Sequence, residues 1–354
     1  WTELVSLQAI CHFRLFDAIP EKGSATYADI ATTAGIPEDL AVRFIRMSIL
    51  NGIFSESTPG RVYHTPSSRW LLTRGPGLSD LIALNCYELA PAGLRYPEAI
   101  EKFGDIQEPE HSSFALVNNN LPIFEVLARD EKRRLRFGRS MQYLTSADSY
   151  DIRHILNGYD WASVDVPGAR ALDIGGGMGH ISALIAAHTT HLHFTVQDLP
   201  PVVEDAIKNR ATLGAPQILD RISFLPLSFF DSHPPATQVF DVVFLRWILH
   251  NWSDKYTRQI FRAMIPALRK GTKVFIVEYV LAERFDGVKA AQHFGLWCDM
   301  IMGVGFGAKE RTAQNIHDLM DDVAKEFGGC WTDWAVSKPG NSTMSFIQAV
   351  WGGL

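Results

Sequence analysis

The sequence predicts an α/β protein: a doubly wound, mostly parallel seven-stranded sheet with a C-terminal antiparallel hairpin, preceded by a mainly helical winged-helix domain. Three observations predict it. The first hundred of the 354 residues carry helical spacing, short apolar runs alternate with helical stretches from Arg170 onward, and a Pro-Gly turn joins the last two apolar runs. At roughly 150 residues per domain, this length allows two domains.

From Trp1 to Ile19, Leu4, Leu7, Ile10, Cys11, Phe13 and Leu15 recur near helical spacing, and Pro20 with Gly23 closes the segment. Tyr27 to Thr33 and Glu38 to Asn51 read as two short helices broken at Gly35, Ile36 and Pro37. The stretch Gly52 to Thr65 sets Pro59 and Gly60 between apolar runs, which completes a winged helix-turn-helix. Helical patterns continue to about Tyr159. The basic run from Asp130 to Arg139 reads as a solvated helix face paired with Glu125, Asp130 and Glu131. RALDI is then a strand, GGGMG a turn and HISALIAAH a helix. LHFTVQ, ISFLPL, VFDVVFL and KVFIVEYV are further strands, with helices at PVVEDAIKNRA and from Asp254 to Leu268. CWTDWAVS and STMSFIQAVW form the antiparallel edge around Pro339-Gly340. The expected division is 1–110 for the winged-helix domain, 111–158 for connecting helices and 159–354 for the sheet domain.

Composition narrows the function. Hydrophobic residues make up 47% and charged residues 20%, as in ordinary globular proteins. Lys plus Arg is 33 against 39 Asp plus Glu, a net charge of −6, and the second winged-helix helix offers Arg43 and Arg46 behind Glu38 and Asp39. Affinity for duplex comes largely from phosphate contacts, so no nucleic-acid partner is expected. The charge-free stretch from Ile174 to Gln197 contains four Gly and four His, too polar for a bilayer span, so no membrane partner is expected either. The start WTELVSLQAICHF carries Glu3 and no basic lead-in, which is not a signal peptide, and Trp1 is not a natural start, so a preceding segment is expected to be missing. Cys11, Cys86, Cys298 and Cys330 are far apart and lack metal-ligand spacing. Reduced thiols, a cytoplasmic location and no metal follow as expectations.

Ligands of an open parallel sheet bind beyond the carboxyl ends of its strands. After the first sheet strand, ending at Asp173, come Gly175, Gly176, Gly177 and Gly179, whose backbone can approach a ligand. Asp198 follows the second strand, placed to accept hydrogen bonds from ribose hydroxyls. The third glycine of a dinucleotide fingerprint would fall at His180, which favours a nucleoside ligand without pyrophosphate. His250 lies just beyond the fourth strand. Glu278 sits inside an apolar run, where a carboxylate is costly unless paired, and His250 on the adjacent strand end is the expected partner.

Taken in order, LDIGGGMG, VQDLP, LRWILHNWSD, VEYVL and GAKERT resemble the class I S-adenosylmethionine-dependent O-methyltransferases of the plant caffeic acid and fungal secondary-metabolite type, across essentially the whole chain. The resemblance implies S-adenosylmethionine as cofactor. Gly175, Gly176 and Gly177 would hold its methionine part, Asp198 and Leu199 its ribose and adenine edge, with Ser228, Phe229 and Arg246 nearby. It implies His250 as general base flanked by Glu278 and Glu310, and Phe137, Met141, Trp247, Asn251, Ile301 and Met302 around a phenol or polyketide acceptor. It further implies a homodimer formed by the N-terminal domain, which closes the partner's active site. Ser228 and Asn251 depart from the family pattern, which commonly has Asp at both positions. Two other readings stay open: a same-fold enzyme of pericyclase or dehydration type that keeps its methyl group, and a winged-helix regulator sensing a nucleoside.

Overall fold

Thr26 opens the winged helix by a reciprocal cap, its hydroxyl accepting the Asp29 N–H at 3.1 Å while the Asp29 carboxylate accepts the Thr26 N–H at 3.2 Å. The computed structural model describes residues 1–73, 76–233, 239–284 and 290–353. Helix Tyr27–Ala34 ends at Gly35, whose φ of +67° suits a residue without a Cβ, and helix Glu38–Leu50 follows. Strands Phe54–Thr58 and Arg61–His64 pair antiparallel, with Ala25–Thr26 on the other side of Arg61–His64. They close over Phe16, Ile30, Ile45, Phe54 and Val62. The first helix is shorter than its periodicity suggests. It spans Thr2–His12, because Arg14 adopts a φ of 52° and the chain turns into the short 3-10 segment Leu15–Ala18 that buries Leu15 and Phe16.

Two compact units result, one of residues 1–101 with 113–147 and one of residues 102–112 with 148–354. This differs from the expected limits at 110 and 158, and the reason lies in the basic run. Arg129 and Arg134 do pair locally, with Glu125 and Glu131. Arg133 and Arg136, however, both reach the buried carboxylate of Glu88, and Arg139 reaches Asp80. The expected solvated face is therefore a fastening, which ties helix Glu131–Thr145 to the segment around Pro76–Leu84 of its own unit.

In the second unit the described residues form a seven-stranded sheet: β1 (Arg170–Ile174), β2 (His193–Asp198), β3 (Ile222–Pro226), β4 (Phe240–Arg246), β5 (Leu268–Glu278), β6 (Trp331–Ser337) and β7 (Ser345–Trp351), ordered β6-β7-β5-β4-β1-β2-β3. The first five are mutually parallel, while β7 runs antiparallel to β5 and β6 antiparallel to β7. Helices cover both faces. Leu172, Val243 and Ile276 meet Ile260, Phe261 and Val323 on one side. Ala171, Val242 and Phe275 meet Ile155, Trp161 and Ile185 on the other. The expected doubly wound sheet with its terminal hairpin is thus the observed one. Because β4 and β2 lie on opposite sides of β1, the chain reverses its direction of growth there, and a crevice opens beyond the carboxyl ends of β1 and β4. Among the described residues no helix is long and apolar enough to cross a membrane.

Candidate active site

The loop after β1 is held by hydrogen bonds that only close backbone approach allows. The N–H groups of Gly175 and Gly176 donate to the Gln197 carbonyl at 2.8 and 3.2 Å, and that of Gly177 donates to Asp198 Oδ2 at 2.9 Å. Leu199 N–H donates to the other oxygen of Asp198 at 2.8 Å. Gly175 and Gly177 take φ of +68° and +57°, and a Cβ on Gly177 would meet nothing within 4 Å among the described residues. The loop therefore leaves open space beside a carboxylate fixed from both sides. Below it Asp173 is buried, accepts the Ser182 hydroxyl at 2.7 Å, and burial pushes its pKa up to about 6 against the opposing pull of Ser182 and Arg246. Leu199 is half exposed next to Asp198.

Ser228 uses its hydroxyl to accept the Phe230 N–H at 3.2 Å, a bond within its own turn, so it brings no charge to this crevice. Phe229 stands edge-on to Trp252 at 5.9 Å. Arg246 ends β4 with its guanidinium 4.3 Å from the centre of the Trp247 ring. Trp247 itself has a φ of 56°, held by its backbone N–H on the Val277 carbonyl and its indole N–H on Met344 sulfur at 3.0 Å. Asn251 donates its side-chain amide to the Trp247 carbonyl at 3.3 Å.

His250 sits in the 3-10 turn Leu249–Asn251. Its Nδ1 lies 3.1 Å from Glu310 Oε1, with the histidine side chain 19% exposed and the glutamate 3%. Glu278, at the end of β5, does not take the histidine bond expected for it. Its Oε1 accepts the backbone N–H groups of Ile248 and Leu249 at 2.9 and 2.8 Å, which fixes the start of the turn. A nitrogen of His250 and one oxygen from each glutamate lie within 4.8 Å of one another. Strand pairing brings them together: beyond Glu278, Val280–Leu281 pairs in parallel with Arg311–Thr312, so the residues just before each pair converge. Burial alone would lower the His250 pKa, but the charges of Glu278 and Glu310 outweigh it and hold the imidazole above its ordinary value, against a smaller opposing effect of Arg311. Burial raises the Glu278 carboxyl in turn. Oε2 of each glutamate is buried without a hydrogen-bond partner among the described residues.

Ile301 and Met302 lie half buried on helix Ala290–Phe306. Phe137 and Met141 are half buried on helix Glu131–Thr145 of the first unit. The structure adds neighbours that periodicity did not single out. Tyr150 packs edge-on against Trp247 at 5.5 Å, and Asp299 Oδ1 accepts the Glu310 N–H at 2.9 Å. Arg311 grips the His250 turn, and its one sequence signal is adjacency to Glu310.

The model of an O-methyltransferase domain matches residues 107–324, and that of an O-methyltransferase dimerisation domain matches residues 4–74. The chain belongs to the O-methyltransferase family. Its relatives include O-methyltransferase VdtC of Byssochlamys spectabilis, 32% identical over 99% of this chain and 79% of that one. Another is the chlorophenol O-methyltransferase of Trichoderma longibrachiatum, 29% identical over 99% and 74%. Among solved structures, mitomycin 7-O-methyltransferase MmcR matches at a TM-score of 0.74 and 20% identity, over 99% of this chain and 94% of that chain. OxaC, solved with sinefungin and meleagrin, matches at 0.77 and 20%, over 99% and 85%. At these identities the structural likeness speaks for the fold. An O-methyltransferase of this family uses S-adenosylmethionine. The residues present fit that cofactor: the open space at Gly177 beside the doubly fixed Asp198 carboxylate suits a nucleoside whose ribose hydroxyls need an acceptor.

Proposed function

We propose that this enzyme methylates a hydroxyl of an aromatic or polyketide-type small molecule, with His250 as the general base. The carrying observation is the His250 imidazole beyond β4, its Nδ1 held by buried Glu310 and its turn fixed by Glu278. With Nδ1–H on the carboxylate, Nε2 is the nitrogen left to accept a proton. Gly175, Gly176, Gly177, Asp198, Leu199 and Arg246 are the residues proposed to hold the cofactor, with Ser228 and Phe229 at the edge of that site. Bound there, S-adenosylmethionine supplies an electrophilic methyl group.

A phenol has a pKa of about 10 and an ordinary histidine about 6.5, a gap of roughly 3.5 units or about 4.8 kcal/mol. The two glutamates narrow it by raising the imidazole. Nε2 of His250 would take the proton of the acceptor hydroxyl, and Glu310, hydrogen-bonded to Nδ1, would stabilise the imidazolium so formed. Trp247, Asn251, Ile301, Met302, Phe137 and Met141 are proposed to shape the acceptor site. An aromatic acceptor is supported by the relative named for chlorophenol. A homodimer is supported by the dimerisation-domain match, and a cytoplasmic location by four free cysteines.

Retention of an acid-base histidine favours methyl transfer over the non-methylating reading. Incubation with methyl-labelled cofactor and a panel of phenols is expected to place the label in an aryl methyl ether. His250→Ala is expected to bind cofactor as the wild type does and to lose about 10² to 10⁴ in turnover. Conversion of an acceptor with the cofactor left intact would overturn methyl transfer, and wild-type turnover in His250→Ala would overturn the base.

A further inference from the structure

We propose that Arg311 is a positioning residue for the base, its guanidinium holding the two backbone carbonyls, of Leu249 and Trp252, that bracket His250 in its turn. The inference rests on His250 being the base. The turn Leu249–Asn251 has two ends, and each end of a short 3-10 turn leaves backbone groups without partners in the turn. At the amino end Glu278 accepts two N–H groups. Arg311 spans the turn: Nη1 donates at 2.9 Å to the carbonyl of Leu249, its first residue, which also accepts the Trp252 N–H at 3.1 Å, and Nη2 donates at 2.8 Å to the carbonyl of Trp252, just past its carboxyl end.

Its remaining edge is spoken for as well. Nε donates to Asp254 Oδ1 at 2.9 Å, and Asp254 also binds Lys309. The Arg311 side chain is 2% exposed, so these bonds are made away from competing water. A planar fork with fixed donor directions serves two carbonyls and a carboxylate at once, whereas the compact ammonium of a lysine has no such fork. Sequence adjacency adds a coupling. Glu310 orients the ring and Arg311 holds the backbone, so two consecutive residues set both the direction and the position of the imidazole. Asp299 anchors them by accepting the Glu310 N–H.

Two effects follow. Loosening the turn moves Nε2 relative to the acceptor, and a displacement of about 1 Å costs about 10²-fold in rate. The guanidinium charge also bears on the imidazole. The titratable and charged groups that face His250 are Glu278 at the end of β5, and Glu310 with Arg311 where the strand pairing beyond it begins, with Tyr279 and Lys309 lining the same small cavity. Arg311 opposes protonation of His250 while the glutamates favour it. Removing its charge should therefore move the acid limb of the rate profile to higher pH.

The test compares Arg311→Gln and Arg311→Lys with wild type and His250→Ala, measuring kcat, KM for cofactor and acceptor, and the pH dependence of kcat. Both Arg311 variants are expected to keep cofactor KM within about threefold and to lose about 10²-fold in kcat. The acid limb should rise in Arg311→Gln and stay near wild type in Arg311→Lys. Wild-type kcat and an unmoved limb in Arg311→Gln, with His250→Ala inactive, would overturn the role of Arg311 alone. An equal loss in both variants with neither limb moved would also overturn it, because the residue would then be merely structural. Should Arg311→Gln fail to fold, Arg311→Lys decides, since full kcat there shows that the fork is not needed. Turnover by His250→Ala would instead overturn the base assignment beneath the proposal.

Discussion

At position 250 the imidazole works in a setting that pulls its pKa in two directions. Enclosure disfavours its charge, and two glutamates restore it, with the net result above the ordinary histidine value of about 6.5. A base must be neutral to act, so kcat should fall as pH drops through that raised value, placing the acid limb above about 6.5. Replacing Glu310 by Gln removes the charge that touches Nδ1. The limb should then move to lower pH while the plateau of kcat falls, and a pH–rate series measures both; an unmoved limb would show that Glu310 does not set the base. The same shift has a stability consequence. A raised folded-state pKa stabilises the native state below about pH 6.5, and that contribution is lost as pH rises through the folded value. Their places at adjacent strand ends pointed to His250 and Glu278, and the family resemblance added Glu310. Which glutamate meets the ring was not legible, because a carboxylate on a strand end has ring nitrogens and backbone N–H groups equally within chemical reach.

Among the elements, the turn after β1 separates two duties of glycine. A Cβ on Gly176 would lie 2.6 Å from the Asp173 carboxylate and 2.8 Å from Val196, both in the buried interior. Gly176→Ala should therefore overpack the core by about 1 to 3 kcal/mol. At roughly 2 to 4 °C per kcal/mol for a unit of this size, a thermal melt should fall by several degrees. A Cβ on Gly177 meets no atom of the described residues within 4 Å and carries the strain of a φ of +57°, about 1 to 2 kcal/mol. Its larger effect should be on the ligand, and calorimetry is expected to show cofactor affinity weakened by about tenfold or more. Undiminished affinity in Gly177→Ala would mean that the open space is not the cofactor's. The glycines were visible in the sequence. The helix after β2 was legible as well, but the division between the units was not, since the basic run of helix Glu131–Thr145 pairs with Glu88 and Asp80, 45 to 59 residues away.

For the whole molecule, charge and topology answer different questions. A net −6 and two arginines on the second winged-helix helix leave little to neutralise phosphates. Titration with labelled duplex DNA at low salt should give no anisotropy change, and salt-dependent binding would reopen the regulator reading. The sheet order explains why one crevice collects residues from so many segments. Switching growth direction beside β1 sets the glycine loop, Asp198 and the β4 end around one opening, all within the second unit.

The parallel sheet with its hairpin, the glycine turn and the motif order that marks the family are legible in the chain, because they follow from local periodicity, turn chemistry and residue spacing. The folded chain is what shows that Glu310, sixty positions from His250, holds the ring while Glu278 holds the N–H groups that open its turn and Arg311 holds the carbonyls of Leu249 and Trp252 on either side of the ring. Those partnerships depend on strand register across distant segments, and the Val280–Leu281 pairing with Arg311–Thr312 that creates them leaves no periodic trace in the chain.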